Sequence, residues 1–116
     1  MADSVLRTDA RDFAREIVFL CRKLKKDRVE YELVSQLLRS GTSIGANVHE
    51  AQYAQGTKDF ISKLEIALKE CNETEYWLDL LHDTDSLNDE TYSAICRKCT
   101  HLRRMLIASV NTLKAK

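Results

Sequence analysis

The chain has 116 residues, 44% hydrophobic and 31% charged, with 18 basic residues balanced by 18 acidic ones. That is enough to bury the core of one domain without disulfide or metal staples, and the composition excludes a disordered or membrane-embedded chain. No apolar run nears the roughly 20 residues that span a bilayer. The start, Met1-Ala2-Asp3-Ser4-Val5-Leu6-Arg7, lacks the basic and apolar regions of a secretory signal, so a cytoplasmic location with no membrane partner is expected.

Proline is absent, glycine occurs only at Gly41, Gly45 and Gly56, and β-branched alternation is missing. The composition therefore points to an all-α protein. Apolar residues recur at alternating spacings of three and four, as on one face of a helix. Four heptad seams follow in chain order. The first carries Leu6, Ala10, Phe13, Ile17, Leu20 and Leu24, and Asp9 with Asp12 suits its start. The second carries Leu33, Leu37, Ser40, Ile44, Asn47 and Ala51. Phe60, Leu64, Ala67, Cys71, Thr74, Leu78 and Leu81 form the third. Tyr92, Ile95, Cys99, Leu102, Leu106, Ser109 and Leu113 form the fourth.

Breaks are read at Asp27–Val29, at Gly56-Thr57 and at Ser86-Leu87-Asn88, with Asn88 as an N-cap. The expected helices are 9–26, 29–54, 57–84 and 89–114, in one domain spanning 1–116. Connections this short make neighbouring helices antiparallel, giving an up-down-up-down four-helix bundle.

Few residues form a constellation with chemistry. Cys96-Arg97-Lys98-Cys99 is a single Cys-x-x-Cys inside a helical pattern, whereas a zinc site needs four ligands. Cys21 and Cys71 complete no disulfide framework. His49, His82 and His101 fall on three different helices, so the Glu-x-x-His pairs of di-metal bundles are missing. No phosphate-binding glycine loop or nucleophile elbow is present. No catalytic residue, metal ligand or cofactor is assigned.

Charge is unevenly spread. Basic residues outnumber acidic ones eight to four over 5–28 and six to two over 89–116, whereas acids lead eight to three over 57–85. The first and fourth helices therefore form a basic half, and the second and third an acidic half. Arg15, Arg22, Lys26, Arg97 and Arg104 are candidate nucleic-acid contacts through phosphates. Apolar residues also fall on outward positions. Val18, Phe19, Leu38, Ile66, Leu80 and Ile107 are candidate oligomer contacts, with Tyr76 and Trp77 at the margin of the third seam.

The middle of the second helix, Arg39-Ser40-Gly41-Thr42-Ser43-Ile44-Gly45-Ala46-Asn47-Val48-His49-Glu50-Ala51, is a poor helix former. Gly41 and Gly45, four apart, let another helix approach closely, and Asn47 on the seam would fix register. Together with Lys58-Asp59-Phe60, Ile66-Ala67-Leu68-Lys69-Glu70 and Glu73-Thr74-Glu75-Tyr76-Trp77-Leu78, this segment resembles the bacterial four-helix bundle proteins related to the 23S rRNA intervening-sequence-encoded protein. The matching motif residues are Arg39, Ser43, Ile44, Asn47 and Glu50. Many members carry proline in the first turn and glycine after the motif glutamate, where this chain has Lys26-Asp27-Arg28 and Ala51.

The resemblance implies a four-helix bundle and a ring-forming homopentamer, and carries over no catalytic residue. A related branch, the accessory protein of diversity-generating retroelements, works with a reverse transcriptase and nucleic acid. The reading that follows is a non-enzymatic oligomeric scaffold or adaptor whose partner is itself. The alternative is an RNA- or DNA-binding accessory protein using the basic face of the first and fourth helices, against which the neutral net charge stands.

Overall fold

Four long helices form wherever the apolar spacing is helical. In the computed structural model, which describes residues 4–116, they are α1 (Ser4–Lys26), α2 (Tyr31–Ala51), α3 (Thr57–Asp83) and α4 (Asp89–Lys114). No strand occurs among the described residues. Helix α1 starts five residues before the expected boundary at 9, because Leu6 is fully buried and holds the first turn on the core. Residues 1–3 of the expected domain lie outside the described residues.

The turns explain how helices end with so little glycine. After α1, Arg28 takes a left-handed conformation (φ 64°), the Val29 amide donates to the Leu24 carbonyl and the Arg28 amide to the Lys25 carbonyl. This is a Schellman motif with arginine where glycine usually sits. Asp85 (φ 64°) repeats it after α3, where Ser86 donates to Leu81 and Asp85 to His82. The α2 boundary falls at Ala51 rather than 54, since Gln52, Tyr53 and Ala54 donate three residues back and tighten the last turn. Asn88 caps α4, its side chain accepting from the Thr91 amide at 2.8 Å.

Contacts between helices run in opposite sequence order. Gly45 lies over Ala10 and Gly41 over Ile17, Arg39 reaches Glu70, and Cys99 Sγ points to the Cys71 carbonyl. Lys98 reaches Glu16 while His101 reaches Asp9. Neighbours are thus antiparallel, α1 packs on α2, α2 on α3 and α3 on α4, whereas α1 and α4 touch lightly. The backbones of α1 and α3 do not approach each other closely, and the two helices occupy opposite corners. The bundle measures 47 × 21 × 19 Å.

The core departs from the expected seams by one residue at several places. Cys21 is buried instead of Leu20, Val34 instead of Leu33, Val48 instead of Asn47, and Val110 instead of Ser109. A strict 3.5-residue repeat drifts about 20° per heptad from a straight 3.6-residue helix, so an added step of four is needed. Asn47 is therefore half-buried on the flank of α2 and is not a core register residue. Ser40 and Thr74 are the fully buried polar side chains among the described residues, and each hydroxyl donates to a carbonyl of its own helix.

Candidate functional site

The glycines of α2 are explained by α1. A Cβ at Gly41 would lie 2.8 Å from both γ-carbons of Ile17, and one at Gly45 3.2 Å from the Ala10 carbonyl oxygen. Their absence brings the two helices together.

The polar motif residues of α2 lie on its other flank, towards α3. The Arg39 guanidinium reaches Glu70 and Glu73, and the Trp77 indole donates to Glu73 at 3.2 Å. Hydrogen bonds from Arg39 and Trp77 hold the Glu73 carboxyl below the usual carboxylate range, and Glu73 in turn raises Arg39. Ser43 Oγ donates to the Arg39 carbonyl at 2.6 Å and Asn47 Nδ2 to the Ser43 carbonyl at 2.8 Å. These bonds satisfy the polar groups inside their own helix. Glu50 is exposed and lies 3.4 Å from Lys63, while Ile44 is buried. The motif therefore ties α2 to α3 and packs the core, and its five residues do not converge on one pocket. The Glu70 and Glu73 partners of Arg39 are hidden in the sequence by their distance along the chain.

The charged surface is more divided than segment counts imply. Asp9, Asp12 and Glu16 form an acidic edge of α1 facing α4. Glu16 pairs with Lys98, Asp9 with His101, and Asp12 with Arg15 at 3.3 Å. This edge separates Arg22 and Lys26 on α1 from Arg97 and Arg104 on α4. Arg22 sits 5.8 Å from the centre of the Phe19 ring. Lys26, Arg97 and Arg104 are exposed and make no ion pair among the described residues. The acids of α3 are largely engaged within the chain: Glu65 with Lys114, Glu75 with Arg103, and Asp79 with the Tyr92 hydroxyl at 2.6 Å.

The apolar candidates fall on separate faces. Phe19 is 61% exposed at the outer face of α1, between Arg15, Arg22 and Lys26 at helical spacing. Val18 and Leu38 are half-buried at one level of the α1–α2 flank, and Leu38 packs on the core. Ile66 (39%) and Tyr76 (58%) lie with half-buried Leu80 along outer α3, and Ile107 is 41% exposed on α4.

Among the described residues, no group of three His, Cys, Asp or Glu side chains could hold a metal. None of the described helices is long and apolar enough to cross a membrane. Cys21, Cys71 and Cys99 are buried as small core side chains, and burial pushes the Cys21 thiol up to about 11.

The model of the 23S rRNA-intervening sequence protein family matches residues 3–108. The chain belongs to this family. A solved structure agrees: a protein of unknown function from the S23 ribosomal protein family of Bacteroides thetaiotaomicron. It is 46% identical, with a TM-score of 0.89 over 90% of this chain and 97% of that one. No curated protein matches significantly. The solved relative shares the helical fold described above, and the 23S rRNA-intervening sequence protein family and that structure carry no assigned activity.

Proposed function

We propose that the protein is a non-enzymatic scaffold that assembles with copies of itself, head to tail, into a closed ring. One observation carries this reading. Exposed apolar side chains stand on two helices at opposite corners, Phe19 on α1 and Ile66 with Tyr76 on α3. One patch of each kind on opposite sides suits a heterologous contact, in which the α1 face of one copy covers the α3 face of the next. Because the acids of α3 are mostly paired within the chain, apolar burial is the main drive, and the bases beside Phe19 add orientation. A ring of five is the number that the family resemblance supplies. The nucleic-acid reading has less support, since the acidic edge of α1 interrupts the basic face.

Light scattering at micromolar concentration tests the ring. Phe19→Glu and Tyr76→Glu should each yield monomers, and mixing the two should restore one contact and give a dimer. A monomeric or two-fold dimeric wild-type protein, or rings that survive both substitutions, would sink the head-to-tail reading. A ring of another size would overturn only the number five.

A further inference from the structure

The N-terminal half of α1 and the C-terminal half of α2 enclose a surface groove that neither the core nor the proposed contact uses. Its volume is about 490 Å³, close to the 460 Å³ of the α1–α4 cleft. This lies within the range of small-molecule sites, roughly 300–1,000 Å³. The close approach of the helices at Gly45 makes it possible. Short side chains, Thr8, Ala14, Thr42 and Ala46, line it together with the long side chains of Arg7, Arg11 and His49.

The electrostatics are one-sided. Arg7 is held over the end of the groove by its hydrogen bond to the Gln52 side-chain oxygen. Arg11 is exposed and makes no ion pair among the described residues. The acid at the rim, Glu50, is 3.4 Å from Lys63 on α3, which offsets its charge. The Thr42 hydroxyl already donates to the Leu38 carbonyl at 2.7 Å, so it offers an acceptor and the arginines remain the principal donors. At the mouth the His49 ring leans on the exposed Tyr53 ring, 5.5 Å between centres, and presents an aromatic wall.

We infer that this groove binds a small organic anion with a planar body. The two guanidiniums take the phosphate or carboxylate, and the short side chains of the lining and the His49 ring take the planar body. The α1–α4 cleft lacks this one-sidedness, because Glu16 and Asp9 there already pair with Lys98 and His101. The inference is independent of ring formation, since Phe19 and Tyr76 lie outside the groove.

Titration of the full chain with three probes, followed by amide chemical shifts, tests it. Phenyl phosphate or benzoate should perturb Thr8, Arg11, Ala46 and His49, and whichever binds tighter tells a phosphate ligand from a carboxylate. Benzamidine, which has the same ring and the opposite charge, should not bind. Arg11→Gln should weaken anion binding about tenfold, on the scale of one lost charge-assisted contact. Ala46→Phe, which fills an exposed position of the groove, should abolish binding while the spectrum stays folded, and Arg104→Gln on α4 should change nothing. Equal binding of benzamidine, anion affinity unmoved by both Arg11→Gln and Ala46→Phe, or no binding of either anion at millimolar concentration would overturn the assignment.

Discussion

Gly41→Ala puts the packing of α1 on α2 to a quantitative test. In an isolated helix, replacing glycine by alanine gains about 1 kcal/mol. In this bundle the new methyl would sit 2.8 Å from both Ile17 γ-carbons and 3.2 Å from its δ-carbon. Carbon atoms prefer about 3.5–4.0 Å, so all three contacts fall short together. Ile17 is fully buried and branched at Cβ, hence stiff, and the clash must move the helix or strain the side chain. Overfilling typically costs 1–3 kcal/mol, so about 0–2 kcal/mol of net destabilisation remains after the propensity gain. In an Ile17→Ala background the obstructing atoms are gone, and the same substitution should stabilise by about 1 kcal/mol. Gly45→Ala serves as a control. Its methyl meets one backbone oxygen at 3.2 Å, which a shift of a few tenths of an ångström relieves, so its net effect should be near zero. Urea unfolding followed by circular dichroism, at one fixed protein concentration, measures the wild type and the four variants. A Gly41→Ala protein more stable than the wild type would refute the reasoning, as would the absence of a sign change on removing Ile17.

Three other outcomes follow from the side-chain contacts. Glu73→Gln should cost about 0.2–1 kcal/mol, since the pair with Arg39 is solvent-accessible, with side chains 47% and 37% exposed. Because the folded carboxyl is held below its ordinary 4.5, the pair's contribution is complete above that pH and fades as the pH falls through the depressed value. The wild-type and Glu73→Gln unfolding midpoints should therefore converge in acid. In native protein pulsed with an alkylating reagent, mass spectrometry should find modification at half-buried Cys96, with Cys21, Cys71 and Cys99 protected until urea opens the core. Asn47→Leu should leave both the helix content and the scattering mass unchanged, with stability within about 0.5 kcal/mol, because its amide bonds only the Ser43 carbonyl of its own helix. A changed assembly size would restore Asn47 as a register residue.

Much of the fold was legible because helices dominate and their signals are local. The third seam, from Leu64 to Leu81, matches the buried face of α3, and Asn88 caps α4 through its own side chain. The errors cluster where a heptad grid was laid on straight helices. Steps of four at Ile17–Cys21, Ile44–Val48 and Leu106–Val110 put Leu20, Asn47 and Ser109 on the wrong side of the line. The first boundary was misread because Asp9 and Asp12 looked like acids at a helix start, whereas they line the edge facing α4. The breaks after α1 and α3 fall where the sequence places them, but the left-handed caps at Arg28 and Asp85 are not legible from residue type, since neither position carries the glycine that usually marks one. The surface was least legible. Whether a charge is free depends on partners far along the chain, as with Lys98 and Glu16 or Lys114 and Glu65.

The light touch between α1 and α4 has a kinetic consequence. Nearly all tight packing joins helices that follow one another along the chain, across turns of four or five residues. Each helical hairpin can therefore close with little loop entropy, and the costly joining of the two chain ends contributes little to the packed surface. A topology of this kind has a low relative contact order, which places its folding in the microsecond-to-millisecond range and leaves few half-formed states in which the apolar faces of α1 and α3 stand open to aggregation.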